Sequence, residues 1–582
     1  MNRQIVGAAI ASLTFLASTG PGQGSRGAAP GREVRAVWIA TVNGLDWPRS
    51  YDSRQQRESL IDIIDKLAAS HYNTLYFQVR SRGDAMYRSP YEPWSQQLTG
   101  IPGKDPGWDP LALAIDEGHA RGMEVHAWFN AFYARSGKTL PPRSTPPHIL
   151  LKHPEWLHFA GGDWWLDPGI PAARQYVLNV AMDIVRRYDI DGIHFDYLRY
   201  PGKLFPDEGS YRRHGGPLAK DDWRRENINK FVRAFYDSAM ALKPMLKVGS
   251  APIGIYSNSA DITGLQSYSD VYQDSREWLR EGKQDYLVPQ TYWPLGERRG
   301  SADFSRIARD WAVHTYGRDV YPGIGAYKQE VFDQIPELID LSRSLGFQGN
   351  SFFRYGSIER GLDAGGRYRR PANIPPMKWK DSIPPNPPGS FAVSGSVRGG
   401  FRLEWSPPPP ARDGDSARYY DVYRSTTSPV DVTDADNLIA IVRNGQTRIY
   451  DTIAHPAAAR YHYAVSAFDK GNNESIPAES SALLPEIAEV LGPLAPAFRL
   501  GRNYPEPASS IVFIPYELGE RSTVTLTILN EQNRVLVEMV NASQPAGRFI
   551  AAGDLSKLRS GVYSYRLVAG AFSRSRTFRI QN

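Results

Sequence analysis

Eight short apolar runs recur between Val34 and Phe353, and most are followed by an amphipathic stretch. The runs are Val34–Ala40, Thr74–Val79, Glu124–Phe129, Gly192–Tyr197, Lys247–Ala251, Tyr286–Gln290, Val320–Gly325 and Gly349–Phe353. Helical spacing is clearest in Arg54–Ser70, with Leu60, Ile61, Ile64 and Leu67, and it recurs in Pro110–Arg121, Ala172–Tyr188 and Arg224–Leu242. A repeated strand-then-helix unit demands a parallel sheet, because parallel neighbours need a long crossover. Eight units with no block of strands alone favour closure over an open sheet. The expected class is therefore α/β, a (β/α)8 barrel of the TIM type. In such barrels the reactive groups sit at the C-terminal ends of the strands.

The residues at those ends are polar and aromatic: Trp38, Arg80, His126, Trp128, Asn130, His194, Asp196, Arg199, Tyr200, Gln290, Tyr292, Trp293 and Tyr327. Asp196 is the leading catalytic candidate. Alternation in Gly192–Tyr197 puts His194 and Asp196 on one side, facing the barrel axis. A carboxylate there is costly unless it works or is paired, and Arg199 and Arg80 are the pairing alternatives. Asp84 and Asp274 are weaker partners, since each could equally order a loop or cap a helix. Cleaving a glycosidic bond needs a proton donor and either a second carboxylate or the substrate's own acetamido group. The remaining residues named are expected to bind substrate.

Composition narrows the rivals. The chain has 582 residues, enough for several domains, and a net charge of +6 that is weak evidence for nucleic acid. It has 14 Trp, 32 Tyr and 22 Phe, suited to cores and to stacking on sugar faces. It has no Cys, which excludes disulfides, a thiol nucleophile and thiolate-bound zinc. His126, His194, Asp196 and Asp84 lack metal-binding spacing, so no metal and no cofactor are expected. No Gly-x-Ser-x-Gly elbow supports a serine nucleophile.

The ends of the chain differ in texture. Residues 1–20 read as a secretory signal peptide, with Arg3 ahead of the apolar run Val6–Ala17, and 21–31 as a disordered linker. The barrel is expected over 32–370 and a Pro-rich linker over 371–384. A first all-β domain is expected over 385–487, a linker over 488–499 and a second all-β domain over 500–582, both as sandwiches. No transmembrane segment is expected.

Several motifs in order resemble the glycosyl-hydrolase-like 10 family. They are Arg35-Ala-Val-Trp-Ile-Ala-Thr-Val-Asn-Gly-Leu-Asp-Trp-Pro48, Phe77-Gln-Val-Arg-Ser-Arg-Gly-Asp84, His126-Ala-Trp-Phe-Asn130, Asp191-Gly-Ile-His-Phe-Asp-Tyr-Leu-Arg-Tyr-Pro201 and Tyr286-Leu-Val-Pro-Gln-Thr-Tyr-Trp293. The resemblance implies a barrel that hydrolyses glycosides in the bacterial envelope, with peptidoglycan glycan strands as the expected substrate. Many relatives carry two adjacent acids where Asp196 is here followed by Tyr197, so the proton donor stays unassigned. The 385–487 region, with Trp405, Tyr419-Tyr-Asp-Val-Tyr-Arg424 and Tyr461-His-Tyr-Ala-Val-Ser-Ala-Phe-Asp469, resembles a fibronectin type III domain. The 500–582 region, with Leu558-Arg-Ser-Gly-Val-Tyr-Ser-Tyr-Arg-Leu567, resembles a type IX secretion C-terminal sorting domain. That resemblance implies secretion machinery as a partner and a cell-surface or extracellular address in a bacterium with an outer membrane. The alternatives are a surface protein that binds carbohydrate without cutting it, and a hydrolase of environmental polysaccharide.

Overall fold

A computed structural model describes residues 30–297, 301–396, 400–443, 445–451, 455–456, 460–483, 498–503, 506–508 and 511–581. The expected signal peptide and residues 488–497 of the expected second linker lie outside the described residues. Among those residues no helix is long and apolar enough to cross a membrane.

The first region is built on twelve strands: β1 Val34–Ile39, β2 Thr74–Arg80, β3 Glu124–Asn130, β4 Tyr133–Ser136, β5 Leu157–Ala160, β6 Asp163–Leu166, β7 Gly192–Asp196, β8 Lys247–Ser250, β9 Tyr286–Leu287, β10 Asp319–Val320, β11 Gly323–Ile324 and β12 Gly349–Phe352. Nine of them form one parallel sheet in the order β10-β9-β8-β7-β3-β2-β1-β12-β11. The two ends of that order are consecutive pieces of one segment, 319–324. Its first half pairs with β9 and its second half with β12, so the sheet returns on itself in a TIM-barrel-like closure. Pro322, between the halves, has no N–H to offer, but its carbonyl accepts from Ser351 N at 3.2 Å. All eight expected runs lie on this sheet.

The strands read as continuous apolar runs because both faces are covered; every residue of β1 and β2 is buried. Helices form the outer face. Helix Ser53–Ala69 starts at Asp52, whose carboxylate accepts from Gln55 N, and it buries Leu60, Ile63, Ile64 and Leu67. Helix Pro110–Ala120 starts the same way at Asp109, with Pro in its first turn. The inner face is unusually aromatic, and glycine makes the room. A Cβ on Gly249 would lie 2.2 Å from the Tyr286 ring, and one on Gly192 would lie 2.5 Å from the His126 ring. Gly249→Ala is therefore expected to destabilise the barrel by about 1–3 kcal/mol through overpacking. Thermal unfolding checks this, and an unchanged transition would mean that Tyr286 can move aside.

An antiparallel sheet of order β4-β6-β5 follows β3 as an insertion. The segment expected as a Pro-rich linker, 371–384, packs under the barrel through its first ten residues. Asn373, Ile374 and Met377 are buried. The Trp379 indole donates to Asp285 Oδ1 at 2.9 Å, and the Lys380 ammonium lies 2.9 Å from Asp285 Oδ2.

The rest of the described chain is all β. Strands 389–396, 400–406 and 448–451 form one sheet, and 438–442, 419–425, 460–468 and 478–483 another. Phe401, Leu403, Trp405, Val422 and Val465 share one buried cluster between them. Two four-stranded sheets follow, and their cluster includes Val512, Ile514, Val524, Leu526, Tyr565 and Leu567. His455–Pro456 pairs with Phe549 and Ile550, which ties the two β regions together.

Candidate active site

Asp196 ends β7, where it pairs in register with Asn130 at the end of β3. It is 8% exposed. It lines a cavity of about 100 Å³ together with Trp38, Tyr197, Arg199, Ala251, Gln290, Tyr292 and Phe353. One carboxyl oxygen, Oδ1, accepts from Tyr197 N at 2.7 Å and from Gln290 Nε2 at 3.5 Å. Among the described residues the other oxygen carries no hydrogen bond. Burial pushes the Asp196 carboxyl above its ordinary range, against the pull of the Arg199 charge and the Tyr197 N–H. Tyr197 is held at φ +51°, a left-handed backbone that costs a non-glycine residue about 1–2 kcal/mol. Such strain concentrates at working sites.

The surroundings suit a sugar. Arg199 sits over the Tyr197 ring at 4.8 Å and the Trp165 ring at 5.8 Å, and Trp165 belongs to the inserted hairpin. Phe353 packs near Trp38, Tyr292 and Tyr327, at centroid distances of 5.8, 5.5 and 6.0 Å. Tyr327 is 52% exposed at the rim. Lys328 donates to the Tyr292 carbonyl at 2.8 Å and lies 5.8 Å from the half-buried Trp293 ring.

Of the catalytic candidates, only Asp196 lines this cavity. Asp84 Oδ1 accepts from Ser81 Oγ and Arg82 N, both at 2.9 Å, and orders its own turn. It opens on a separate cavity with Arg82, Arg135 and His148. Asp274 precedes helix Ser275–Arg280 and accepts from the Tyr256 hydroxyl at 2.7 Å. Among the described residues no second carboxylate lines the Asp196 cavity. Asp163, on the inserted hairpin, is near enough to act electrostatically on Tyr197.

Several expected binding residues are placed elsewhere. Arg80 has no exposed surface; its guanidinium holds Glu92 at 2.8 and 2.7 Å and donates to the carbonyls of Asn130, Ala131 and Tyr133. Tyr200 is fully buried and accepts from Asn227 Nδ2. His126 and His194 lie below the mouth, in the barrel interior. His126 pairs with Gly192, four residues before Asp196, or roughly 13 Å down the strand. Burial and the nearby His126 hold the His194 imidazole well below its ordinary range, hence neutral. One tautomer pattern satisfies both histidines. Trp38 Nε1 donates to His194 Nε2 at 3.0 Å, His194 Nδ1 to the Tyr286 hydroxyl at 3.2 Å, that hydroxyl to His126 Nδ1 at 2.7 Å, and His126 Nε2 to Glu124 at 3.2 Å. Lys247 closes the chain on Glu124 at 2.6 Å. Asn130 stays at the mouth opposite Asp196, whereas Trp128 pairs with His194 one layer down; among the described residues Trp128 Nε1 and Asn130 Oδ1 are buried without a hydrogen-bond partner.

Three features were missed from sequence: Phe353, Tyr197 and the β5–β6 hairpin. Inward alternation through Gly349, Ser351 and Phe353 carried the first. The two-residue Gly161-Gly162 turn between Leu157–Ala160 and Asp163–Leu166 carried the last. A larger cavity of about 410 Å³ lies between the barrel floor and the second region, bordered by Asn73, Glu124, Arg418 and Asn472. It faces the N-terminal ends of the strands, the end that stabilises rather than reacts.

Known proteins similar to this chain are named as glycosyl hydrolases. The family model described as glycosyl hydrolase-like 10 matches residues 33–336. "Glycosyl hydrolase YngK" of Bacillus subtilis (strain 168) is 33% identical over 505 residues, covering 81% of this chain and 96% of that one. "Glycosyl hydrolase DigH" of Escherichia coli (strain K12) is 35% identical over 324 residues, 51% of this chain and 73% of that one. Among solved structures, alpha-L-fucosidase isoenzyme 2 from Paenibacillus thiaminolyticus matches with a TM-score of 0.40 and 11% identity, covering 94% of this chain and 100% of that one. The class is that of a glycoside hydrolase. The chain belongs to the glycosyl hydrolase-like 10 family.

Proposed function

We propose that this hydrolase cuts a polymeric glycan of N-acetylated sugars, with Asp196 as proton donor and the substrate's acetamido group in place of a second carboxylate. The observation that carries the reading is the Asp196 carboxyl itself. One oxygen is tied down, the other is free, and burial favours the protonated form. A lone acid in the cavity leaves the cationic sugar without a protein carboxylate beside it. Asp196 gives its proton to the glycosidic oxygen as the C–O bond breaks, and the acetamido carbonyl oxygen bonds to the anomeric carbon. Water then opens that ring, and the Asp196 carboxylate takes the water's proton. Gln290 and the Tyr197 N–H hold the carboxyl in place, and Tyr292 and Phe353 wall the sugar.

Peptidoglycan glycan strands, N-acetylated along their length, are the substrate that fits. The reading includes export by the N-terminal segment, a fibronectin type III-like spacer in the 385–487 region and a sorting role for the 500–582 region at the cell surface. The strand motifs and all-β texture of those regions support it.

The test compares glycan strands freed of stem peptides with the same strands after chemical N-deacetylation. Released reducing ends should fall by about 10²-fold or more on deacetylation, the scale of losing a positioned intramolecular nucleophile. Equal rates would remove the acetamido group from the mechanism. No release from either strand would remove peptidoglycan.

A further inference from the structure

We infer that the second cavity at the barrel mouth, the one onto which Asp84 opens, binds a carboxylate carried by a sugar unit of the glycan, through Arg82 and Arg135. The cavity measures about 220 Å³. Arg82 follows β2, and Arg135 lies on β4, just after β3. Both therefore stand at the C-terminal ends of barrel strands, the reacting end. Trp94, Pro93 and Pro141 add apolar lining of the kind that sugar faces pack on.

The two guanidiniums have donors to spare. Arg82 Nη1 donates to Asn43 Oδ1 at 2.9 Å, and Arg135 Nε to the Thr139 carbonyl at 2.7 Å. Among the described residues these are their only side-chain hydrogen bonds, and neither guanidinium is in an ion pair. Arg82 Nε is buried with no hydrogen-bond partner. A buried donor left unmatched is costly. Among the described residues Asp84 is the one acid lining the cavity, and its Oδ1 already accepts from Ser81 Oγ and Arg82 N. His148 adds no charge. Its Nδ1 accepts from Leu150 N at 3.1 Å and its Nε2 donates to the Arg82 carbonyl at 2.8 Å, the pattern of a neutral ring. Burial keeps that ring neutral by lowering its pKa. Two cations thus stand against one acid. Burial lowers the Arg135 pKa, Asp84 pulls it back, and the Arg82 charge lowers it again. A carboxylate arriving here meets forked N–H donors that match its two oxygens.

The cavity adjoins the catalytic one. The Tyr133 ring lies 4.8 Å from the Tyr197 ring, and the Tyr133 hydroxyl feels the Arg82 charge. Asn43, which holds Arg82, follows Val42, and Val42 packs in the cluster of Trp38. Tyr197 and Trp38 both line the Asp196 cavity. A polymer with one unit at Asp196 can so place another at the arginines. This subsite rests on the glycan reading above, because strands free of stem peptides carry a lactyl carboxylate on alternate sugars.

The experiment measures binding of soluble, stem-peptide-free glycan strands to the full chain carrying Asp196→Asn, with the strand carboxyls free or methyl-esterified. Free-acid strands should bind roughly 10- to 100-fold more tightly than the ester, the scale of hydrogen bonds to a charged group. Adding Arg82→Gln and Arg135→Gln should bring the free acid down to the affinity of the ester. Retained binding of the ester shows that this variant is folded. Arg135 is partly exposed, so Arg135→Gln alone is the milder second variant, and it should lose part of the preference. Arg135→Lys, which keeps the charge without the fork, should lose less. Equal affinity for the two strands before the arginines are changed would overturn the subsite. So would a preference that survives in the double variant. Neither result touches the acetamido mechanism, which deacetylation tests through cleavage. Cleavage indifferent to deacetylation, together with carboxylate-dependent binding, would remove the acetamido group and keep the subsite.

Discussion

Replacing Asp196 by Asn is expected to lower kcat by about 10²–10⁴-fold, the usual worth of a positioned proton donor, with little change in KM. The amide keeps the size of the side chain and the oxygen that Gln290 and Tyr197 N–H hold, so sugar binding by Tyr292, Phe353 and Arg199 survives. Only the transferable proton is lost. The same change should not harm the fold. The folded carboxyl is raised above its ordinary value by burial. A raised group contributes stability that is fully present below its unfolded pKa and is lost as pH rises through its folded pKa. Asparagine imitates the protonated form and carries no such loss. The variant and its parent should therefore unfold at similar temperatures near pH 4, and the variant should be the more stable near neutral pH. The parent's activity should fall on the basic side as Asp196 gives up its proton. Retained activity in the variant would remove Asp196 from the chemistry. A drop in its unfolding temperature at neutral pH would show that the ionised carboxylate stabilises the fold.

Glu92→Ala is expected to be the most damaging single change to stability. The Arg80 and Glu92 side chains are both 0% exposed, and they pair through two hydrogen bonds. Removing the acid strands a guanidinium in the interior, which costs about 3–5 kcal/mol. In a domain of this size that shifts unfolding by roughly 10 °C. A double replacement, Arg80→Met with Glu92→Leu, should recover part of the loss because no charge is left behind. Recovery stays incomplete, since the carbonyls of Asn130, Ala131 and Tyr133 lose their donor. These carbonyls lie beside the end of β7, where Ala131 N donates to the Asp196 carbonyl at 2.8 Å. The double variant should therefore also lose activity in a refolded, soluble state. Thermal unfolding of the three proteins tests the ion pair, and a single variant as stable as its parent would show that water reaches Arg80.

The eight strands were legible because a sheet covered on both faces writes continuous apolar runs into its sequence. Asp196 was legible because alternation tells which side a residue faces. Alternation does not tell depth. His126, His194 and Asp196 all face inward, yet only Asp196 lines the cavity, while the histidines link Trp38 of that cavity through Tyr286 to Glu124 at the other end of the barrel. Arg80 also faces inward at a strand end, but Glu92 from the following loop claims it, and that pairing across twelve residues leaves no local pattern. Asp84 sits just beyond β2 and Asp274 in the long connection between β8 and β9, and nothing in their spacing says which side of the rim those segments will turn toward. The proline-rich run 371–384 was misleading for a different reason. Proline marks where helices and strands stop, not whether the chain that follows is free.

That run carries one further consequence. The floor of the barrel is closed by residues that come after the last strand: Met377 within the packing, and Trp379 and Lys380 on Asp285. The catalytic unit thus has no natural cut just after its last strand, which ends at Phe352, because the lid for its lower opening is still to be synthesised. A fragment that stops there would leave a buried aspartate facing water at the base. The shortest piece of this chain that can stand alone has to run through Lys380.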